Sequence, residues 1–413
     1  MRNSPRSWLL LLALPVAACG TLPDRGAPSA IPPSELAARQ QSVLMELVAR
    51  LDESYLYPDY GDVEWETHAA QLEAQISRGL SEEEFRAALE DLVLLLPPGT
   101  ASYTSREERV QGDFDVSNTY EGIGAFVSIR AEPEPRILLL SVIPNSPAAR
   151  AGLLAHDAVY AVDGTAVSRE EGLAVIDRVR GPAGTQVVLE VASPDEAHRQ
   201  VTVERGEVAI GDSLRGGILA PGFIYLLVPV TVDASLFEAL VGLLQDMLEQ
   251  DQTVDALVLD LRIAGSGSEW PLNEMLSLLG DGQAGHFNSR AGTQPLDIQG
   301  TDFANSQSLP LAILVGPDTS GAPEVFAAAL QAIGRGPIVG LPTSGSVLSF
   351  QSHVLPDGSL LTFAVSSFVT RDGTDLSLNG LTPDVIVELD WDQVEAGSDP
   401  VLLKALELLQ KGS

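Results

Sequence analysis

The chain has 413 residues, too many for one ordinary core, so two or three domains are expected. Hydrophobic residues at 45% against 20% charged exclude a disordered chain, which lacks that apolar mass. The formal charge, 24 − 57 = −33, argues against nucleic acid and anionic lipid surfaces as partners.

The first residues read as a targeting segment. Arg2 and Arg6 form a basic start, Trp8–Leu14 an apolar stretch, and Val16-Ala17-Ala18-Cys19-Gly20 a small-residue end. That is a secretory signal over residues 1–18, too short to span a bilayer. The residues before Cys19 resemble a bacterial lipobox, which implies cleavage there and acylation of the thiol. Cys19 is the lone cysteine, so no intrachain disulfide is possible. Residues 19–33, rich in Pro, Ala, Gly and Ser, read as a tether. The expected location is extracytoplasmic, with a lipid anchor in a membrane. No later stretch has the apolar length of a transmembrane helix.

Residues 34–105 are helical in pattern. Ser34 is placed to cap a helix over Glu35–Leu51, whose apolar stripe is Leu36, Val43, Leu44, Leu47, Val48 and Leu51. Ser81-Glu82-Glu83-Glu84 is a capping-box start for a second helix running to Leu96, stopped by Pro97-Pro98-Gly99.

Residues 118–206 change to short strands punctuated by glycine. Tyr120-Glu121-Gly122-Ile123-Gly124-Ala125-Phe126 leads into Ile137–Val142, then Ser146-Pro147-Ala148-Ala149-Arg150-Ala151-Gly152-Leu153, then Asp157–Gly164. Arg180-Gly181-Pro182-Ala183-Gly184-Thr185 precedes a strand over Gln186–Val191. In this order the segments resemble a PDZ domain of the bacterial periplasmic-protease type, a small β-rich barrel with helices. The loop Gly122, Ile123, Gly124 and Ala125 would then offer successive N–H groups to a terminal carboxylate, with the peptide added as a strand beside it.

Residues 207–395 read as a layered α/β core. Phe223–Val230, Ala256–Leu261, Leu311–Val315, Pro337–Val339 and Leu360–Val365 are the expected strands, and Leu236–Leu248 an amphipathic helix. In Leu311–Leu330 a buried strand passes through the turn Gly316–Ser320 into a packed helix. A helix mouth of this kind presents free N–H groups and is a natural place to hold an oxyanion. Residues 396–413 hold a C-terminal helix begun by Asp399-Pro400.

Together these segments resemble the carboxyl-terminal processing (tail-specific) serine peptidases, a multi-domain α/β architecture with a ClpP/crotonase-like core. Leu257–Arg262 resembles the family's I-L-D-L-R strand, Thr319–Glu324 its T-A-S-A-S-E turn, and Gly340–Gly345 its G-E-K-T-F-G. Pro356-Asp357-Gly358 resembles the S-D-G turn and Gly380-Leu381-Thr382-Pro383-Asp384 the closing G-I-x-P-D. The resemblance implies a serine nucleophile at the helix start and a lysine, kept neutral by burial, as its base.

Residue by residue, that chemistry is missing. The nucleophile position is Gly321, the base position Ser346, and the glutamine that would orient the lysine is Phe350. The oxyanion loop R-N-N-P-G-G reads Arg262-Ile263-Ala264-Gly265-Ser266-Gly267. The D-x-H-T-x-Y segment of histidine-dependent relatives resembles Pro97–Tyr103, without a histidine. Lysine occurs only at Lys404 and Lys411, so none in the core can replace the base. Ser320, one residue early, reads as an N-cap or as a displaced nucleophile, with His353 the one histidine in the base-bearing segment. His68, His156, His198 and His286 are scattered and indicate no metal site, and no cofactor is expected. Asp260, Arg262 and Glu324 read as structural.

Three functions remain: an inactive relative binding protein or peptide C-termini, an active endopeptidase using Ser320, and a structural scaffold. Partner identity and oligomeric state are not encoded in any motif.

Overall fold

The computed structural model describes residues 33–106, 119–209, 214–220, 222–230, 235–249, 254–265, 270–395 and 397–411. Cys19, the signal segment and the tether up to residue 32 lie outside them, as do Ser266 and Gly267, while Pro33, read as the last tether residue, opens the first helix. Among the described residues no helix is long and apolar enough to cross a membrane.

Three N-terminal helices come first, α1 (Pro33–Ser54), α2 (Trp65–Arg78) and α3 (Glu82–Leu94). The α1 stripe Val43, Leu44, Leu47 and Leu51 is buried, worth roughly 1.5–3 kcal/mol for each fully buried side chain. The helix begins at Pro33, so Ser34 is already inside its first turn, where proline is tolerated because early N–H groups are unpaired. The expected capping box is formed: the Glu84 N–H donates to Ser81 Oγ at 3.2 Å and the Ser81 N–H to Glu84 Oε2 at 2.8 Å. The region is not wholly helical. Strand β1 (Ala101–Thr104) pairs antiparallel with Leu360–Phe363, and α1–α3 share one apolar core with Leu355, Leu361 and Phe363. Four residues carry no readable alternation, and β1 exists because a partner strand far along the chain supplies its ladder.

The middle domain contains β2 (Thr119–Gly122), β3 (Ala125–Arg130), β4 (Arg136–Val142), α4 (Pro147–Arg150), β5 (Ala158–Val162), β6 (Thr165–Ala166), α5 (Val175–Val179), β7 (Gln186–Ala192), β8 (Arg199–Glu204) and β9 (Gly206–Ala209). Its main sheet has the order β3-β4-β5-β7-β8, antiparallel throughout, and β2 pairs with β9. Val187, Leu189 and Val191 alternate into the core as the strand period of two requires. Strand β3 lies at the sheet edge, with no second partner strand among the described residues.

The third domain is built on β10 (Arg215–Ala220), β11 (Phe223–Leu227), α6 (Ser235–Glu249), β12 (Ala256–Asp260), α7 (Leu272–Leu279), β13 (Gly282–Ser289), β14 (Gly292–Ile298) and β15 (Leu311–Val315). It continues through α8 (Ala322–Ala332), β16 (Ile338–Gly340), β17 (Ser349–Val354), β18 (Leu360–Thr370), α9 (Leu376–Asn379), β19 (Val385–Ile386) and α10 (Pro400–Lys411). The central sheet runs β10-β11-β12-β15-β16-β19 and is parallel except for edge strand β10. All of β12 and β15 is buried, as parallel strands covered on both faces must be. Leu257, Leu259, Leu311, Ile313 and Val315 pack with α6, α7 and α8. Val258, Ala312 and Leu314 point the other way onto Val401, Ala405 and Leu409 of α10. A second, antiparallel sheet joins β1, β18, β13 and β14, with β17 paired to β18.

The middle domain is fixed to the third by ion pairs. Arg130, at the end of β3, binds Asp318 at 2.5 Å and Asp390 at 2.9 Å, while Arg136 binds Asp392 at 2.5 Å. Burial works to lower the Arg130 pKa, but its hydrogen bonds to Asp318 and Asp390 hold it above the ordinary value. Trp391 completes the junction: its Nε1–H donates to the Leu139 carbonyl at 3.2 Å, and its own carbonyl lies 2.8 Å from His156 Nδ1.

Candidate functional site

The turn between β15 and α8 is tied down by its backbone. Thr319 Oγ1 accepts from the Gly316 N–H at 2.9 Å and donates to the Leu261 carbonyl at 2.8 Å, joining the turn to the end of β12. The Ser320 N–H donates to the Ala264 carbonyl at 3.1 Å. That bond turns Ser320 towards the neighbouring loop: its Oγ lies 3.8 Å from where a Cβ on Gly265 would stand. Ser320 is therefore not the N-cap. Gly321 is, at φ 66° and ψ −131°, and no side-chain oxygen caps α8. That region of backbone is open to glycine and strained for other residues. The Gly321 N–H donates to the Ser346 carbonyl at 2.8 Å.

Gly321 and Ser346 are thus neighbours through the backbone, the first without a side chain and the second with a hydroxyl in place of an amine. The Ser346 hydroxyl lies 3.0 Å from that of Ser344. Glu324, on the first turn of α8 and fully buried, clasps this segment: its Oε1 accepts from the Thr343 hydroxyl and from the Gly345 N–H at 2.9 Å. Thr343 Oγ1 also accepts from the Leu381 N–H at 2.7 Å, which draws in the closing Gly380-Leu381. The approach is close enough that a Cβ on Gly380 would fall 2.3 Å from the Thr343 carbonyl oxygen, so only glycine fits there. Glu324 Oε2 is buried without a partner among the described residues. Burial raises the Glu324 pKa, and the bonds from Thr343 and Gly345 offset only part of that.

Among the described residues no hydrogen bond joins a base to the Ser320 hydroxyl. Both lysines lie on α10, on the opposite face of the central sheet from α8, where each binds Glu407. His353, on β17, stacks on Phe363 at 5.6 Å in the core region of α1–α3, and no hydrogen bond joins it to Ser320. Phe350, at the glutamine position, is half exposed. Thr100 is occupied by Tyr55 and the Pro97 carbonyl, both at 2.6 Å. Asp260 and Arg262 are structural as expected: they pair at 2.6 Å, with Asp399 on the other side of the guanidinium at 2.6 Å. Among the described residues no group of His, Cys, Asp or Glu could hold a metal ion.

The second candidate site is the edge of β3. Its leading loop holds Gly122, Ile123, Gly124 and Ala125. The Ile123 carbonyl accepts from the Ala148 N–H at 2.7 Å and the Gly124 carbonyl from the Ile143 N–H at 3.0 Å, so both carbonyls face into the domain. Gly124 has φ 83°, and a Cβ there would meet the Ser146 Cβ at 2.3 Å. Between β3 and α5 lies an apolar groove of about 230 Å³ lined by Ile123, Ala125, Val127, Ile176 and Val179, with Arg180 at its rim. Arg130, at the far end of β3, reaches Asp318 in the turn before Ser320. The chemistry of Asp318 was not legible in the sequence, since its partner stands 188 positions away.

Known proteins resemble this chain over most of its length. Residues 232–387 match peptidase family S41 and residues 139–193 a PDZ domain. The chain is 27% identical to the carboxyl-terminal-processing protease of Synechocystis sp., covering 100% of this chain and 95% of the relative. It is 30% identical to that of Picosynechococcus sp., covering 79% of each. Among solved structures, the photosystem II D1 C-terminal processing protease superposes with a TM-score of 0.63 at 22% identity, covering 90% of this chain and 96% of that one.

Proposed function

The chain belongs to the carboxyl-terminal-processing peptidases of family S41, and from that premise we propose that it is a member that captures protein C-termini without cutting them. The observation that carries this reading is the pair Gly321 and Ser346, joined by a backbone hydrogen bond at 2.8 Å, with glycine and serine where the family resemblance calls for serine and lysine. A serine hydroxyl attacks only if something takes its proton. The PDZ groove supports the other half of the reading: an open strand edge, an apolar pocket and a glycine loop whose N–H groups would receive a terminal carboxylate.

Calorimetric titration with an apolar-ended tail peptide tests capture. Tight binding of the free acid and loss of binding on amidation are expected; equal weak binding of both would leave only a scaffold. Incubation with an unstructured tail tests inertness, and cleavage abolished by Ser320→Ala would overturn it. One observation favours that second reading: Ser320 faces the loop that begins at Gly265. Labelling of Ser320 by a fluorophosphonate would support an endopeptidase with a displaced dyad. The lipobox resemblance adds a lipoprotein anchor at Cys19 to the proposal, which Cys19→Ser would release from membranes.

A further inference from the structure

The N-terminal helices frame a cavity that neither the groove on β3 nor the mouth of α8 uses. It holds about 420 Å³ between α1, α3, the residues just past β1 and the turn at Asp357. At ~30 Å³ per water, that is room for an organic molecule of roughly a dozen heavy atoms. Leu36, Val43 and Phe85 give it apolar wall, and Arg39, Arg86 and Arg106 bring guanidinium groups from three separate stretches of chain. In a chain of formal charge −33 the arginines elsewhere are largely engaged. Arg50, Arg130, Arg136, Arg178, Arg199 and Arg262 pair with carboxylates, and Arg335 donates to backbone carbonyls. Among the described residues no ion pair or hydrogen bond engages the side chains of Arg39, Arg86 and Arg106.

The carboxylates on the same walls already have their own partners. Glu82 and Glu83 stand in the first turn of α3, where the helix N-terminus favours negative charge. Asp357 accepts from the Ser359 N–H at 3.0 Å and from its hydroxyl at 2.6 Å. Gln40, also on the wall, is 3% exposed; its amide donates to the Leu80 carbonyl at 3.1 Å, while its Oε1 has no partner among the described residues. What the cavity leaves unmet is therefore mostly positive charge. A guanidinium is a fork of N–H donors that fits carboxylate and phosphate oxygens, and a phosphate monoester offers three such oxygens where a carboxylate offers two. The rest of the chain's negative charge is screened beyond about 8 Å at physiological ionic strength, so a small anion can enter. An anionic bilayer would meet that charge across the whole contact face, which favours a soluble ligand over a lipid headgroup.

We propose that this cavity binds a soluble organic phosphate, with the phosphate group on Arg39, Arg86 and Arg106 and an apolar body against Leu36, Val43 and Phe85. The site is independent of tail capture. Calorimetric titration of the full chain with phenyl phosphate tests it. One-to-one binding is expected, about tenfold or more tighter than inorganic phosphate, which lacks the apolar body, or benzoate, which lacks the phosphate. Arg39→Gln, Arg86→Gln and Arg106→Gln should each weaken it about tenfold. Glu82→Gln should tighten it severalfold, because it removes a carboxylate one helical turn before Arg86. All four side chains are exposed, so the far-ultraviolet circular dichroism of the variants should match the parent. No binding of phenyl phosphate, or binding unchanged in all three arginine variants, overturns the proposal. Equal affinity for benzoate would overturn the choice of phosphate. Co-sedimentation with phosphatidylglycerol vesicles that the arginine variants lose, without binding of phenyl phosphate, would assign the cavity to a lipid headgroup instead.

Discussion

The groove on β3 and the mouth of α8 differ in what a substitution can take away. The groove is made of a strand edge unpaired among the described residues, a glycine loop whose carbonyls are fixed inside the domain, and several aliphatic side chains from β3 and α5. Each contributes part, so one change dilutes the property without removing it. At the mouth of α8 the supporting geometry is equally distributed: Thr319 ties the turn to β12, Glu324 clasps Thr343 and Gly345, and Gly321 holds φ 66°. On the reading proposed above, the reaction would rest on two side chains, and the positions that the family resemblance assigns to them hold Gly321 and Ser346. Geometry shared among many residues outlasts chemistry that hangs on single atoms.

The sharpest way to break this comparison is to return the missing groups. Gly321→Ser with Ser346→Lys should create tail-peptide hydrolysis about 10²–10⁴-fold above either single variant, the range of a positioned general base. Release of peptide fragments followed by mass spectrometry measures it. A folded but inert double variant would mean that the mouth of α8 has lost more than its reacting groups.

The single substitutions should differ in stability. Gly321→Ser or Gly321→Ala forces a side chain into positive φ and should cost about 1–3 kcal/mol in urea unfolding. Ser320→Ala should stay within about 0.5 kcal/mol, since Ser320 does not cap the helix. Equal losses for both would show that Ser320 holds the helix start after all.

On the groove side, Ile176→Ser removes apolar lining from a half-buried position. Tail affinity should fall about tenfold, while unfolding should lose only about 1 kcal/mol, because Ile176 packs on the edge of the domain core. An unaltered affinity would move the tail site away from β3.

These expectations draw on a sequence that disclosed its parts unevenly. The central strands were readable because β12 and β15 are continuous apolar runs, and the α3 start because Ser81 and Glu84 form a local box. The hairpin of β13 and β14 was not: GQAGHFNS and GTQPLDI have neither apolar mass nor clean alternation, and they stand as strands through pairing with each other and with β18. At the candidate site the identities at positions 321 and 346 were legible by resemblance. The capping role was misassigned to Ser320, because a serine before a helix is locally the better cap and only the distant Ala264 carbonyl turns it away. The Arg130–Asp318 contact, between domains, left no local trace.

The finest distinction lies in how the two regions respond to pH. Burial holds the Glu324 carboxyl above its ordinary value of 4.5, with Thr343 and Gly345 offsetting part of the shift. A carboxyl that binds its proton more tightly folded than unfolded gives its full stabilisation below the unfolded pKa, and loses it as pH rises through the folded one. Asp390 at the domain junction behaves in the opposite sense. Burial would raise its pKa, but the Arg130 hydrogen bond and charge outweigh that and hold it below 3.8. Its contribution is present above that value and lost as pH falls through the lower folded pKa. The windows are separate, so Glu324→Gln can isolate the site. Its side-chain oxygen still accepts from Thr343 and Gly345, and it has no proton to lose. As pH rises from 4.5 towards the raised folded pKa the parent chain should lose stability relative to this variant, at a limiting slope of about 1.4 kcal/mol per pH unit, while below pH 4 the two curves should fall together. Thermal midpoints across that range measure the difference. Parallel curves throughout would mean that Glu324 keeps an ordinary titration, and that the clasp on Thr343 is a hydrogen bond without a buried charge behind it.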